Sequence, residues 1–383
     1  MLEAQWPLLV RNAQDLAEAS DPCSRARLLA DRVGLLARHG LAAHAAALLP
    51  EAQDAVLELD DGEAFVRLAI AEAITAYHTP KGYQTLDIFE TAVEAAREHR
   101  LPELEAEAAV WLAISRRSHG FDMSGAIEAI QFALQHAGPL CESTLPRALY
   151  MAGNYFATVG LRADAQRCHH EAARLAHRAK DVQLCEAIAT YPLFVELHEA
   201  RAAYARGALS PVAGQDLEDR LRATVGRLSY GANRTQLQID LGEVLRLVGR
   251  HAEAVKLFDL HLPQGEVQGM NDIELLMGRS DRAVCLLHLH EKRAASQERS
   301  PIRHALAGRM YLYHRAALLT NLMEMEQLLG RPEAAAEFSV RAADAWGQHE
   351  QEVAAFRVAI DAADLRSSLP AEPHLSLVQG TAL

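Results

Sequence analysis

RALYMAGNYFATVG, residues 147–160, runs directly into LRADAQRCHHEAARLAHRA, residues 161–179. In the first half Leu149, Ala152, Gly153, Phe156 and Val159 recur at intervals of three and four, so they share one helical face. Gly160 ends that helix, because a residue free to take positive φ closes a helix C-terminus. The second half turns Ala165, Cys168, Ala172 and Leu175 back toward the first. The stretch reads as two antiparallel helices around a glycine turn.

That turn recurs. Gly40, Gly82, Gly120, Gly160, Gly207, Gly249 and Gly330 each end an apolar helical run, at intervals of 42, 38, 40, 47, 42 and 81. The last interval spans two units with one glycine missing. A period near 40 marks helical repeat arrays. A two-helix unit of this size cannot bury its apolar face alone and stacks on its neighbours, which builds a superhelix with a long groove. The expected fold is all-α, an array of about seven or eight units.

Gly153, Phe156, Gly160, Ala165 and Ala172 have the order and spacing of the tetratricopeptide repeat, which they resemble. LGEVLRLVGRHAEAVKLF, residues 241–258, is the best match, through Leu241, Gly242, Leu245, Gly249, Ala254 and Phe258. A third is carried by Leu322, Gly330, Ala335 and Ala342, and weaker ones end at Gly40 and Gly120. The period exceeds that family's usual length of about 34, as longer helices would make it. In this the chain is similar to the tetratricopeptide-like sensor regions of some bacterial regulators. The resemblance implies a right-handed α-solenoid over residues 1–368, with a capping helix to about Arg366 and a flexible tail over 369–383.

Breaks in the pattern are expected at several places. YHTPKGYQT, residues 77–85, and LHLPQGEVQGMND, residues 260–272, read as longer connections, and ARGALSPVAGQD, residues 205–216, as an inserted loop or an interruption of the stack where the array could bend. Between Leu289 and Gly308 no turn glycine occurs. The break is expected at AASQERSP, with Ser300 as cap and Pro301 as first helical residue.

Composition agrees with packed helices. Half of the 383 residues are apolar but only 5% are aromatic, a balance that suits helices better than sheets. The formal charge of −13 argues against nucleic acid and anionic membranes as default partners. Residues 1–110 hold 9 Lys/Arg against 19 Asp/Glu, whereas residues 279–315 hold 8 against 3. An acidic end and a basic segment would allow end-to-end self-association, and the basic segment is the one place suited to nucleic acid. The N-terminus lacks the pattern of a signal peptide, and no apolar run approaches the roughly 20 residues that span a bilayer. A cytoplasmic location is expected.

No catalytic motif occurs: there is no GxSxG, HExxH, GxxxxGK[ST], or GxGxxG after a strand. The five cysteines are spread singly, without a CxxC pair. Cys285, His288 and His290 do not converge on one helical face, and Cys168, His169 and His170 splay around theirs. No cofactor, metal site or enzyme activity is expected, and a hidden small-molecule-binding enzyme is the alternative.

In the tetratricopeptide pattern the first helix of each unit lines the concave face, and residues upstream of its turn glycine meet the ligand. The resemblance carries this role to Arg147, Tyr150 and Asn154 before Gly160, to Arg201 and Tyr204 before Gly207, and to Glu243 and Arg246 before Gly249. Asn154 stands where the family holds a peptide backbone, and its amide can both donate and accept. Tyr150 replaces the lysine of the family's terminal-carboxylate clamp. Trp111 and Trp346 read as core residues. The expected function is a non-catalytic scaffold or sensor in signalling, with a peptide or protein ligand in its groove.

Overall fold

The computed structural model describes residues 6–78, 85–117, 122–229, 231–262 and 272–369. Among them there is no strand. A leading helix α1 (Pro7–Glu18) precedes two-helix units: α2 (Pro22–Arg38) with α3 (Ala42–Leu57), α4 (Gly62–Tyr77) with α5 (Thr85–Glu98), and α6 (Pro102–Ser115) with α7 (Met123–His136). Then follow α8 (Thr144–Thr158) with α9 (Arg162–Ala179), α10 (Val182–Ala205) with α11 (Pro211–Val225), and α12 (Gly231–Leu247) with α13 (His251–His261). In the next unit α14 (Asp272–His288) faces two short helices, α15 (Lys292–Ser296) and α16 (Arg299–Ala305). The last unit pairs α17 (Leu312–Leu328) with the 31-residue α18 (Pro332–Ala362).

The first helices of successive units pack in series, and each second helix packs on its own partner and on the next first helix. This is the expected α-solenoid. The two helices of a unit are joined by one repeated turn. Gly40, Gly160, Gly207, Gly249 and Gly330 all take φ between +66° and +82°. At Gly249 the glycine N–H bonds Arg246 C=O at 2.9 Å and the next N–H, of Arg250, reaches Leu245 C=O at 2.8 Å. This 6→1 closure satisfies carbonyls that the helix end leaves open. Gly82, Gly120 and most of the 260–272 connection lie outside the described residues, as does the 370–383 tail.

The missing glycine has a substitute. His290, 41 residues after Gly249 and 40 before Gly330, adopts φ +66°, with its N–H on Leu287 C=O and the Glu291 N–H on Leu286 C=O. The turn therefore falls at 289–291 rather than at Ser300-Pro301, and α16 begins at Arg299. The connection after Gly207 is likewise short, since Ser210 caps α11 through the Ala213 N–H and the helix already includes Pro211 and Gly214.

Small residues bring the paired helices together where the repeat pattern placed them. A Cβ on Gly242 would lie 2.8 Å from the Phe258 ring, and one on Gly153 would lie 2.4 Å from the His169 ring. Trp111 and Trp346 are both core residues, and Trp346 Nε1 donates to Thr320 Oγ1.

One feature was not visible in the repeats. The second half of α18 crosses back onto α7 and α8, burying Phe356 and Ile360, and Leu365 follows in the short 3-10 turn Leu365–Ser368. Phe356 meets the buried Tyr155 edge-on with centroids 5.3 Å apart. Gln131 Nε2 donates to Ala363 C=O, Arg366 pairs with Asp164 at 2.9 Å, and the Tyr311 hydroxyl donates to Arg117 C=O. The array thus closes on its own middle.

Candidate functional site on the inner face

Counting back from each turn residue brings out a register between the first helices. Six residues upstream stand Asn154, Arg201, Glu243 and Glu324, and nine upstream stand His198, Asp240, Asp281 and Asn321. On neighbouring first helices these offsets bring the side chains into register.

Around α10, α12, α14 and α17 they form one charged network. Arg201 pairs with Glu243 at 2.7 Å and with Asp281, while Arg246 pairs with Asp281 at 3.3 Å and with Glu324 at 2.5 Å. Tyr204 Oη donates to Glu324 Oε2 at 3.2 Å, and His288 Nε2 lies 2.8 Å from Glu324 Oε1. Asn321 Nδ2 donates to Asp281 Oδ1 at 3.0 Å and to Ser280 Oγ at 2.7 Å. Arg201, Arg246, Glu243 and Asp281 are all buried. The three carboxylates Glu243, Asp281 and Glu324 thus share two guanidiniums, with Asp240 held beside them by Gln236, and burial favours the protonated form of part of this surplus. Burial, opposed by Arg201, lifts Glu243 to about 8; burial also lifts Asp240 to about 7, with Glu274 adding to it. Glu324 goes the other way: despite its burial, Arg246 and His288 hold it below the usual carboxylate range.

A second network surrounds α8. Arg147 lies 4.8 Å above the Trp111 ring and pairs at 3.4 Å with Asp181, the residue whose Oδ1 caps α10 through the Leu184 N–H. Burial lowers Arg147 to about 10. Against its own burial, Asp181 is held below its usual range by Arg38 and Arg147. Asn154 Oδ1 is 2.9 Å from His169 Nε2, and burial pushes His169 down to about 4, so the imidazole is neutral and donates from Nε2.

The two networks are joined by aromatic rings that keep some contact with solvent. Tyr150 and Tyr191 have centroids 6.0 Å apart, Tyr191 and Phe194 6.1 Å, Phe194 and His198 4.0 Å, and His198 stacks on Tyr313 at 3.5 Å. Tyr150, Tyr191, Phe194 and His198 are half-buried. Arg117 borders this strip, donating to Tyr191 Oη at 3.0 Å and Thr158 Oγ1 at 3.2 Å.

The seven residues expected in the groove fall into two groups. Arg147, Tyr150 and Asn154 belong to the α8 network; Arg201, Tyr204, Glu243 and Arg246 belong to the network around Asp281. Five of them are buried and already partnered, so only Tyr150 and Tyr204 of the seven remain half-open. Sequence reasoning missed Asp281, Asn321, Glu324, Asp181 and Tyr191. The turn-anchored count finds the first three once His290 is recognised as a turn residue. Cys168 is buried, which pushes its thiol up to about 12, and His198 stacks on Tyr313. Among the described residues no group of His, Cys, Asp and Glu is placed to hold a metal ion, and no helix is long and apolar enough to cross a membrane. In the basic segment, Arg299 and Arg303 converge with Arg331 on the buried Glu326, and Arg282 pairs with Asp259.

No protein-family model matches the chain, and no curated protein sequence matches it. Among solved structures it is similar to a Rap protein determined in complex with competence and sporulation factor. The identity is 12%, the match covers 85% of this chain and 99% of the other, and the TM-score is 0.51. What the two share is the helical-repeat fold.

Proposed function

We propose that this chain is a non-catalytic, tetratricopeptide-like regulator that takes a peptide segment of a partner along its inner face. The observation that carries the reading is the half-buried aromatic strip from Tyr150 to His198, set between two buried charged networks. Rings of this kind offer large contact area with little side-chain entropy to lose, and the networks behind them hold the surface rigid before a ligand arrives. Asn154, buried and held by His169, backs the strip from behind. The fold shared with a Rap protein solved with a bound factor is compatible with a ligand-binding role. A signalling role in the cytoplasm is part of the same proposal.

Panning a random peptide library on the purified chain tests it, with recovered peptides measured by fluorescence anisotropy. A shared motif is expected, bound about tenfold more weakly by folded Phe194→Ala and Tyr150→Ala variants. Recovery of no motif, or binding indifferent to both substitutions, would sink the idea.

A further inference from the structure

A cleft of about 440 Å³ opens between α1, α2, α4, α6 and the 3-10 turn Pro139–Cys141, apart from the aromatic strip. This volume falls within the range of small-molecule sites. Leu8, Leu28, Leu35, Ile70 and Ile74 give it apolar walls. Its charged lining is mostly spent internally: Arg67 pairs with Asp31 at 2.8 Å, and Arg11 with Glu142 at 3.2 Å.

Three charged groups are left over: Asp15, exposed at the rim, and Arg38 and Glu107 deeper in the cleft. Arg38, only 7% exposed, donates from Nη1 to Ser143 Oγ at 3.0 Å, but its buried Nε–H has no acceptor and its Nη2 makes no hydrogen bond. Nε and Nη2 form the side edge of a guanidinium, the edge through which Arg27 grips Asp61 at 2.8 and 3.1 Å. The Asp181 carboxylate, whose ionised form Arg38 favours, already accepts from Arg147. On another wall stands Glu107, half-buried, which accepts a hydrogen bond from the Cys141 thiol but has no ion pair among the described residues. The charges of both Arg38 and Glu107 act on Asp31 and on Arg147, which places the two within one neighbourhood. An unmatched cation and an unmatched anion on apolar walls call for a ligand with both opposite charges and a hydrocarbon body.

We propose that this cleft binds a free α-amino acid with an apolar side chain, its carboxylate on Arg38 and its ammonium on Glu107. The site is distinct from the peptide-binding face and gives the chain a small-molecule input.

Isothermal titration calorimetry on the full chain tests this with three probes: L-leucine, leucinamide, which lacks the carboxylate, and 4-methylpentanoate, which lacks the amine. Saturable binding of leucine is expected, with each analogue weaker by about tenfold or more. In Arg38→Gln the advantage of leucine over leucinamide is lost, and in Glu107→Gln its advantage over 4-methylpentanoate is lost. Absence of leucine binding to the folded wild type, or equal binding of either analogue, overturns the proposal without reference to any variant.

Discussion

Arg201 and Asp281, eighty residues apart in the chain, form an ion pair with both side chains withdrawn from solvent, Arg201 Nη1 lying 3.4 Å from Asp281 Oδ1. Asp281 also pairs with Arg246 and accepts from Asn321, so one carboxylate ties together α10, α12, α14 and α17. Removing one member of a buried pair leaves the other charge uncompensated. Asp281→Asn is therefore expected to lower stability by about 3–5 kcal/mol. Glu243→Gln makes the contrast. With Glu243 raised to about 8, its carboxyl is largely protonated at neutral pH, and a glutamine resembles what is already there. A loss of no more than about 1 kcal/mol is expected at pH 7. Denaturant unfolding of both variants checks the difference; equal losses would contradict it.

The same shifts set a pH dependence. For Asp240 and Glu243 the folded-state values lie above the ordinary 3.8 and 4.5, so the folded chain holds protons that the unfolded chain has released. Their contribution to stability is lost as pH rises toward about 8. The histidines act with the opposite sign. Burial lowers His39, His78, His169 and His314 to about 4 from 6.5, so stability is lost as pH falls from 6.5 toward 4. Above 6.5 the carboxyls continue to titrate, and toward pH 9 the buried cysteines, raised from 9.0 by burial, add to the loss in the same direction. Melting temperatures are expected to fall between pH 7 and pH 8.5, with a shallower fall in Glu243→Gln.

His290 sits in a left-handed turn that glycine occupies in the units on both sides. A non-glycine residue is less stable there by about 1–2 kcal/mol per residue. Because glycine also gives the unfolded chain more freedom, His290→Gly is expected to stabilise the protein by a net of about 1 kcal/mol. The reverse change, Gly330→His, is expected to destabilise it by a similar amount. Thermal melts of the two variants should move in opposite directions.

Helix contact at Gly242 leaves no space for a methyl group, since the Phe258 ring would stand at 2.8 and 3.0 Å from it. Gly242→Ala should lower stability by about 1–3 kcal/mol through overpacking. The double variant with Phe258→Leu should recover part of that loss, and a cycle of the four proteins measures the coupling. Strict additivity would place the strain elsewhere.

The turns and the helix contacts were readable because each depends on residues close in sequence. Gly160, Gly249 and their partners show φ > 0 through residue type alone. His290 concealed its turn because histidine is tolerated in that conformation without being required by it, and Pro301 suggested a boundary nearby. Arg147, Asn154, Arg201, Glu243 and Arg246 were placed on the right helices, but their burial was not legible. It depends on partners such as Asp181, Asp281 and Glu324 brought in from other units. Nothing local in GQHEQEVAAFRVAI, residues 347–360, announces that Phe356 and Ile360 meet a helix about 200 residues earlier.

That return of α18 to α7 and α8 changes what kind of object the repeat array is. In an open solenoid each unit depends only on its neighbours, so units can be gained, lost or unfolded from an end. Here the far end is spliced to the middle, and the number of units between α8 and α18 is fixed by the geometry of that splice. Inserting or deleting one unit would shift Phe356 out of register with Tyr155, so the array has a length that it cannot vary by simple duplication. Loosening the splice would in turn open the stretch that carries Arg201, Asp281 and the aromatic strip. The last helix thereby acts as a clasp whose closure is shared by every unit inside the ring.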